Sequence, residues 1–122
     1  MKRILIIDDE SSILLLLRTI LEKQRYEVVE ALNGEEGMRL FCESQFDLVV
    51  IDMIMLVKDG LQTIMDVMKR TPDLPVIAIS GGGVISKERY LSIASCLGNV
   101  RTIPKPFSCD LIVETVDELI GD

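Results

Sequence analysis

Short apolar runs alternate with longer amphipathic segments along the whole chain. The runs at 3–7, 47–51 and 74–79 are rich in Ile, Val and Leu and are bounded by acidic, Gly or Pro residues. Continuous apolar runs of that length suit parallel strands buried on both faces. Weaker runs at 27–31 and 100–103 complete a set of five. Between them the apolar positions fall at helical spacing. Ser11 or Ser12 is placed to cap a helix whose Ile13, Leu16, Leu17, Ile20 and Leu21 share one face, with Leu15 nearly opposite. Asn33 can cap a helix over 34–43, with Met38 and Phe41 turned inward. A helix over 61–70 follows Gly60 and stops before Pro72. Another, over 87–97, ends at Gly98. Ser108 caps the last, over 111–120, where Ile112, Val113, Val116, Leu119 and Ile120 recur at helical intervals.

Strand and helix thus alternate five times. Right-handed crossovers then predict an α/β fold: an open five-stranded parallel sheet with helices on both faces. In such sheets, sites gather outside the C-terminal ends of the strands. Those ends carry the chemistry here. The first strand runs into Asp8-Asp9-Glu10, the third ends in Asp52, the fourth in Ser80, and the fifth leads into Lys105-Pro106. Clustered carboxylates raise one another's pKa unless a cation sits among them. A hard divalent ion supplies that charge, and Mg²⁺ favours one or two carboxylates with water and phosphate oxygens. Ser80 offers a hydroxyl to a phosphoryl oxygen, and Lys105 a point charge suited to phosphate. A carboxylate nucleophile, a metal and a lysine are the parts that phosphoryl transfer to aspartate requires. Each alone reads as a cap, a turn residue or a solvated charge; together, at matching strand ends, they point to one site.

Composition narrows the chemistry further. The 122 residues fit one domain, 1–122, with a single conventional core. A net charge of −7 argues against nonspecific binding to nucleic acid or to an anionic membrane, while it favours cations. No apolar stretch is long enough to span a bilayer, and no signal peptide precedes the first strand, so a cytoplasmic protein without membrane insertion is expected. Cys42, Cys96 and Cys109 are odd in number, lack CxxC pairing and read as reduced thiols. There is no histidine. Ser-His and Cys-His pairs and His-based zinc sites are excluded, any phosphohistidine must belong to another molecule, and a metal must rest on oxygen ligands.

The segments ILIIDDE (4–10), DLVVIDMIM with the following KDG (47–60), LPVIAIS (74–80) and IPKPF (103–107) resemble the receiver domain of bacterial two-component response regulators, over essentially the whole chain. The resemblance implies a (βα)5 flavodoxin-like receiver fold and a role for each matched position. Asp52 would accept a phosphoryl group from a phosphohistidine on a histidine kinase or histidine phosphotransfer protein. Asp9 would hold Mg²⁺ directly and Asp8 through water, with Asp52 and the backbone carbonyl of Ile54 completing the protein ligands. Ser80 would swing toward the phosphoryl group, Lys105 would pair with it, and Pro106 would follow a cis peptide. Leu15 on the first helix would contribute to docking the phosphodonor bundle.

Three positions depart from the family pattern. Leu56 stands where proline usually follows Met55, which either loosens the loop carrying Ile54 or is a tolerated surface change. Thr102 replaces the usual switch tyrosine or phenylalanine, so coupling between Ser80 and a rotating aromatic is not assumed. Glycines at 81–83 imply a mobile loop expected to close on phosphorylated Asp52. With the chain ending at its last helix, a stand-alone module is expected, acting on an unknown downstream protein or by onward transfer. A fragment of a larger regulator would read the same. Two other classes compete: a pseudo-receiver that keeps the fold without phosphorylation, and a metal-dependent phosphohydrolase. The latter usually needs a second acid two residues after its nucleophile, where Ile54 stands. No conventional enzyme is expected, only catalysis of the chain's own phosphorylation and slow autodephosphorylation.

Overall fold

A computed structural model of the chain describes residues 1–53, 60–80 and 99–121. Within them β1 (Arg3–Ile7), β2 (Glu27–Ala31), β3 (Leu48–Asp52), β4 (Val76–Ser80) and β5 (Val100–Pro104) form one sheet in the order β2-β1-β3-β4-β5. Every neighbouring pair is parallel. Successive residues of a strand face opposite sides, so Ile4 and Ile6 serve one core and Leu5 and Ile7 the other. Helices α1 (Ser11–Lys23) and α4 (Cys109–Ile120) cover the first, while α2 (Gly34–Glu43) and α3 (Gly60–Arg70) cover the second. The expected five-stranded sheet with helices on both faces is therefore observed. The helix expected over 87–97 lies outside the described residues.

The start and the buried face of α1 differ from the expectation. Glu10, not Ser11 or Ser12, is its N-cap residue, and both serines are already helical. The buried side chains are Leu14, Leu17 and Leu21, whereas Leu16 is 38% exposed. Residues 13–17 are all apolar, so the spacing fits stripes rotated by one residue equally well. Packing chooses the Leu14 edge, which joins Ile4, Ile6, Tyr26 and Ile112 in one core. The helix ends in a Schellman motif: Tyr26 N–H donates to the Leu21 carbonyl at 3.2 Å and Arg25 N–H to the Glu22 carbonyl at 3.0 Å, with Arg25 at φ 69°.

The other helices start at their expected caps or slightly before the expected residue. Asn33 accepts from Glu36 N–H at 2.8 Å, and Phe41 is buried with Met38 half-buried. Gly37 of α2 lies against Ile7, and any Cβ there would collide with the Ile7 side chain. Ser108 accepts from Leu111 N–H at 3.0 Å, so α4 begins at Cys109 rather than at 111. Tyr26 donates its hydroxyl proton to Asp117 at 2.6 Å, fastening α4 to the start of β2. Leu74 belongs to the turn after α3, donating to the Thr71 carbonyl, which delays β4 to Val76. Cys42 and Cys109 are free and exposed.

Candidate functional site

The sheet order decides which strand ends meet. The chain leaves β1 for β2 on one side, and β3 lies on the other, so a crevice opens where the direction of winding reverses. Asp8 leaves the end of β1 with its N–H on the Ala31 carbonyl of β2, 3.1 Å away, and its side chain is turned inward. One Asp8 oxygen accepts from Glu10 N–H at 2.8 Å. Asp52 closes β3 beside it. Its backbone is met by α3: Gly60 N–H donates to the Met53 carbonyl at 3.0 Å, and a Cβ at Gly60 would overlap the Asp52 carbonyl oxygen. Glycine is thus what lets α3 begin against the end of β3. The helix therefore starts at Gly60, one residue before the expected 61.

Lys105 reaches back from β5 to these acids. Its Nζ is 3.2 Å from Asp52, 3.7 Å from Asp8 and 3.8 Å from Glu10. The Lys105–Pro106 peptide is cis, as expected. The side chains of Asp8 and Asp52 are only 2% and 6% exposed, that of Lys105 is 19%, and that of Glu10 is 60%. Ligand atoms of Asp8, Asp9, Glu10 and Asp52 all lie within 4.8 Å of one another.

Burial pushes the Asp8 carboxyl up to about 6; the Glu10 N–H bond pulls it down, and the Asp52 charge adds to the rise. Burial alone would lower the ammonium of Lys105, but Asp52, Asp8 and Glu10 outweigh it, and its pKa stands above the ordinary lysine value. Lys105 therefore stays cationic. One ammonium against four carboxylates leaves an excess of negative charge on hard oxygen donors, which suits Mg²⁺.

The structure brings together Asp8, Asp9, Asp52 and Lys105. Ser80 ends β4 with its backbone in register with Pro104; its side chain, Ile54, Leu56 and the loop at 81–84 lie outside the described residues. Thr102 is half-buried on β5 opposite Ala78. Beside Lys105, Ile13, Leu16, Pro106 and Phe107 line an apolar cleft. Leu15 is 64% exposed.

A family model for the response regulator receiver domain matches residues 4–117. The chain belongs to the response regulator receiver family. Chemotaxis protein CheY of Thermotoga maritima is 32% identical over 119 residues, covering 97% of each chain. Transcriptional regulatory protein GlrR of Escherichia coli K12 is 31% identical over 117 residues; the match takes in 96% of this chain but spans only 26% of that regulator. A receiver domain protein from Clostridium thermocellum has a TM-score of 0.91 at 30% identity, covering 99% of this chain and 95% of its own. Response regulator TrrA of Thermotoga maritima, solved in complex with Mg²⁺-BeF, has a TM-score of 0.86 at 31% identity and covers 98% of this chain and all of its own. Receiver domains bind Mg²⁺ at an acidic pocket, and the four clustered carboxylates of this receiver have the donor chemistry for it. No helix among its described residues is long and apolar enough to cross a membrane.

Proposed function

We propose that this receiver domain, residues 1–122, is a phosphorylation switch in a two-component or phosphorelay pathway, with Asp52 as the phosphoryl acceptor. The observation that carries the reading is the Lys105 ammonium 3.2 Å from a nearly buried Asp52, inside a cluster of carboxylates at the reversal point of the sheet. A carboxylate oxygen of Asp52 forms a bond to phosphorus while the P–N bond of a phosphohistidine breaks; the electron pair stays on the imidazole nitrogen, which leaves as neutral imidazole once a proton is taken up. The chain has no histidine, so that donor belongs to a histidine kinase or histidine phosphotransfer protein.

Asp9, Asp8 and Asp52, with the Ile54 carbonyl, would hold Mg²⁺. The ion, when bound, neutralises charge on the phosphoryl oxygens. Lys105 offsets the same charge from the other side, and Ser80 would donate its hydroxyl proton to a phosphoryl oxygen. The apolar cleft of Ile13, Leu16 and Phe107 lies beside Lys105 and, with the exposed Leu15 on the same helix, would offer the donor a docking surface. Output is a contact with a downstream protein or onward transfer, in the cytoplasm. Ile54 stands where a phosphohydrolase would keep its second acid, so turnover of external substrates is not expected.

Intact mass after incubation with Mg²⁺ and acetyl phosphate tests the reading, with Asp52→Asn as the control. A single phosphoryl gain that needs Mg²⁺ and vanishes in the variant is expected. A gain that survives in Asp52→Asn assigns the wrong acceptor. No gain from acetyl phosphate or from a phosphorylated histidine donor, with Mg²⁺ binding intact, makes the chain a pseudo-receiver.

A further inference from the structure

Resting on the switch reading, we infer that Glu10 is a positioning residue that decides which phosphodonors the site admits, steadying Lys105 from the solvent side and screening the entrance against small anions. Glu10 is the N-cap residue of α1, where Ser, Thr, Asp or Asn would bond the open amides of the first turn. Its side chain makes no capping bond. The carboxylate turns instead to Lys105, 3.8 Å from Nζ, while its backbone N–H holds Asp8 at 2.8 Å. Its carbonyl opens the helix, accepting from Ile13 N–H at 3.1 Å and Leu14 N–H at 3.2 Å, but its N–H and its side chain are both committed to the site.

Three carboxylates surround the ammonium, and they differ in exposure. Asp8 and Asp52 are buried; Glu10 is the exposed member and marks the open side, from which a donor arrives. A negative charge there draws Mg²⁺ inward and opposes the approach of a phosphodonor anion. A phosphohistidine carried on a protein offsets that repulsion with docking surface. A free acyl phosphate brings none.

The test compares initial phosphorylation rates from two small donors at saturating Mg²⁺ in wild type, Glu10→Gln and Glu10→Asp. Acetyl phosphate is a dianion near neutral pH; Asp52 displaces acetate, which departs with the P–O electron pair. Phosphoramidate carries one net negative charge; Asp52 displaces ammonia, whose nitrogen already bears its protons. Glu10→Gln should speed transfer from acetyl phosphate about 3- to 10-fold at low ionic strength, with the gain shrinking in salt. The gain with phosphoramidate should be roughly the square root of that factor, because half the charge feels the same potential. Glu10→Asp keeps the charge and should keep the wild-type donor ratio. The Mg²⁺ Kd, measured by calorimetry, should rise several-fold in Glu10→Gln alone. An unchanged donor ratio in Glu10→Gln, or an equal fall with both donors, overturns the inference while leaving the switch intact. Absence of any phosphoryl gain in wild type from either small donor or a protein phosphohistidine overturns the switch reading, and the inference with it.

Discussion

The carboxyl of Asp8, almost wholly buried between the ends of β1 and β3, keeps its proton up to about pH 6 in metal-free protein because burial opposes its charge. The unfolded chain releases that proton near 3.8. Asp8 therefore contributes stability that is fully present below the unfolded value and is lost as pH rises through about 6, a swing on the order of 3 kcal/mol. Asparagine carries no charge at either pH. Asp8→Asn should accordingly match wild type near pH 4 and exceed it by about 2 kcal/mol at pH 7.5 without Mg²⁺. Urea unfolding at both pH values checks this; an equal difference at both would mean that burial of the charge is not the cause. At the end of α1, Arg25 holds φ 69°, a region that costs a side-chain-bearing residue energy and glycine almost none. Arg25→Gly should raise stability by about 0.5–1 kcal/mol, read as a higher urea midpoint at unchanged slope.

Two helices touch the sheet through glycine, and the consequences of filling them differ. Gly37 brings α2 onto the side chain of Ile7, while Gly60 brings α3 onto the backbone of Asp52. A side chain such as Ile7 can shift; the backbone of a central strand cannot without moving the site. Either Gly→Ala change overpacks the contact and should cost about 1–3 kcal/mol. Only Gly60→Ala should also depress Mg²⁺-dependent phosphorylation measured under conditions where the variant is fully folded, by about tenfold or more, since Asp52 is displaced. Equal phosphorylation in the two variants would show that the α3 contact supports the fold alone.

At the scale of the whole molecule, the acidic site is a place where the fold gives up stability for function. Four carboxylates cluster at the strand ends, three of them around one lysine, and a bound cation would relieve their repulsion. Mg²⁺ should then stabilise the native state by about 2.7 kcal/mol at a hundred times its Kd, because the unfolded chain does not assemble the cluster. Thermal melts with and without Mg²⁺ test it, with Asp52→Asn expected to reduce the shift. A melt that does not respond in wild type would refute metal binding at this cluster. Relatives differ in what accompanies the same domain: CheY of Thermotoga maritima is matched along 97% of its length and GlrR along 26%.

The alternation of apolar runs with amphipathic segments was enough to read the parallel sheet, its helical layers and the acids at its strand ends, because continuous apolar runs and a period of 3.6 are written locally. Caps at Asn33 and Ser108 were legible for the same reason, each bonding an amide three residues away. Which edge of the run 13–17 is buried was not, since a continuous apolar segment fits several rotations and only packing into the core shared with Ile4, Ile6 and Ile112 selects Leu14. Nor was the close approach at Gly37 and Gly60, which depends on the distance between elements rather than on anything in their own composition. The order β2-β1-β3-β4-β5 belongs to the tertiary structure as well. By setting β3 beside β1, it turns acids 44 residues apart in sequence, Asp8 and Asp52, into neighbours around one lysine.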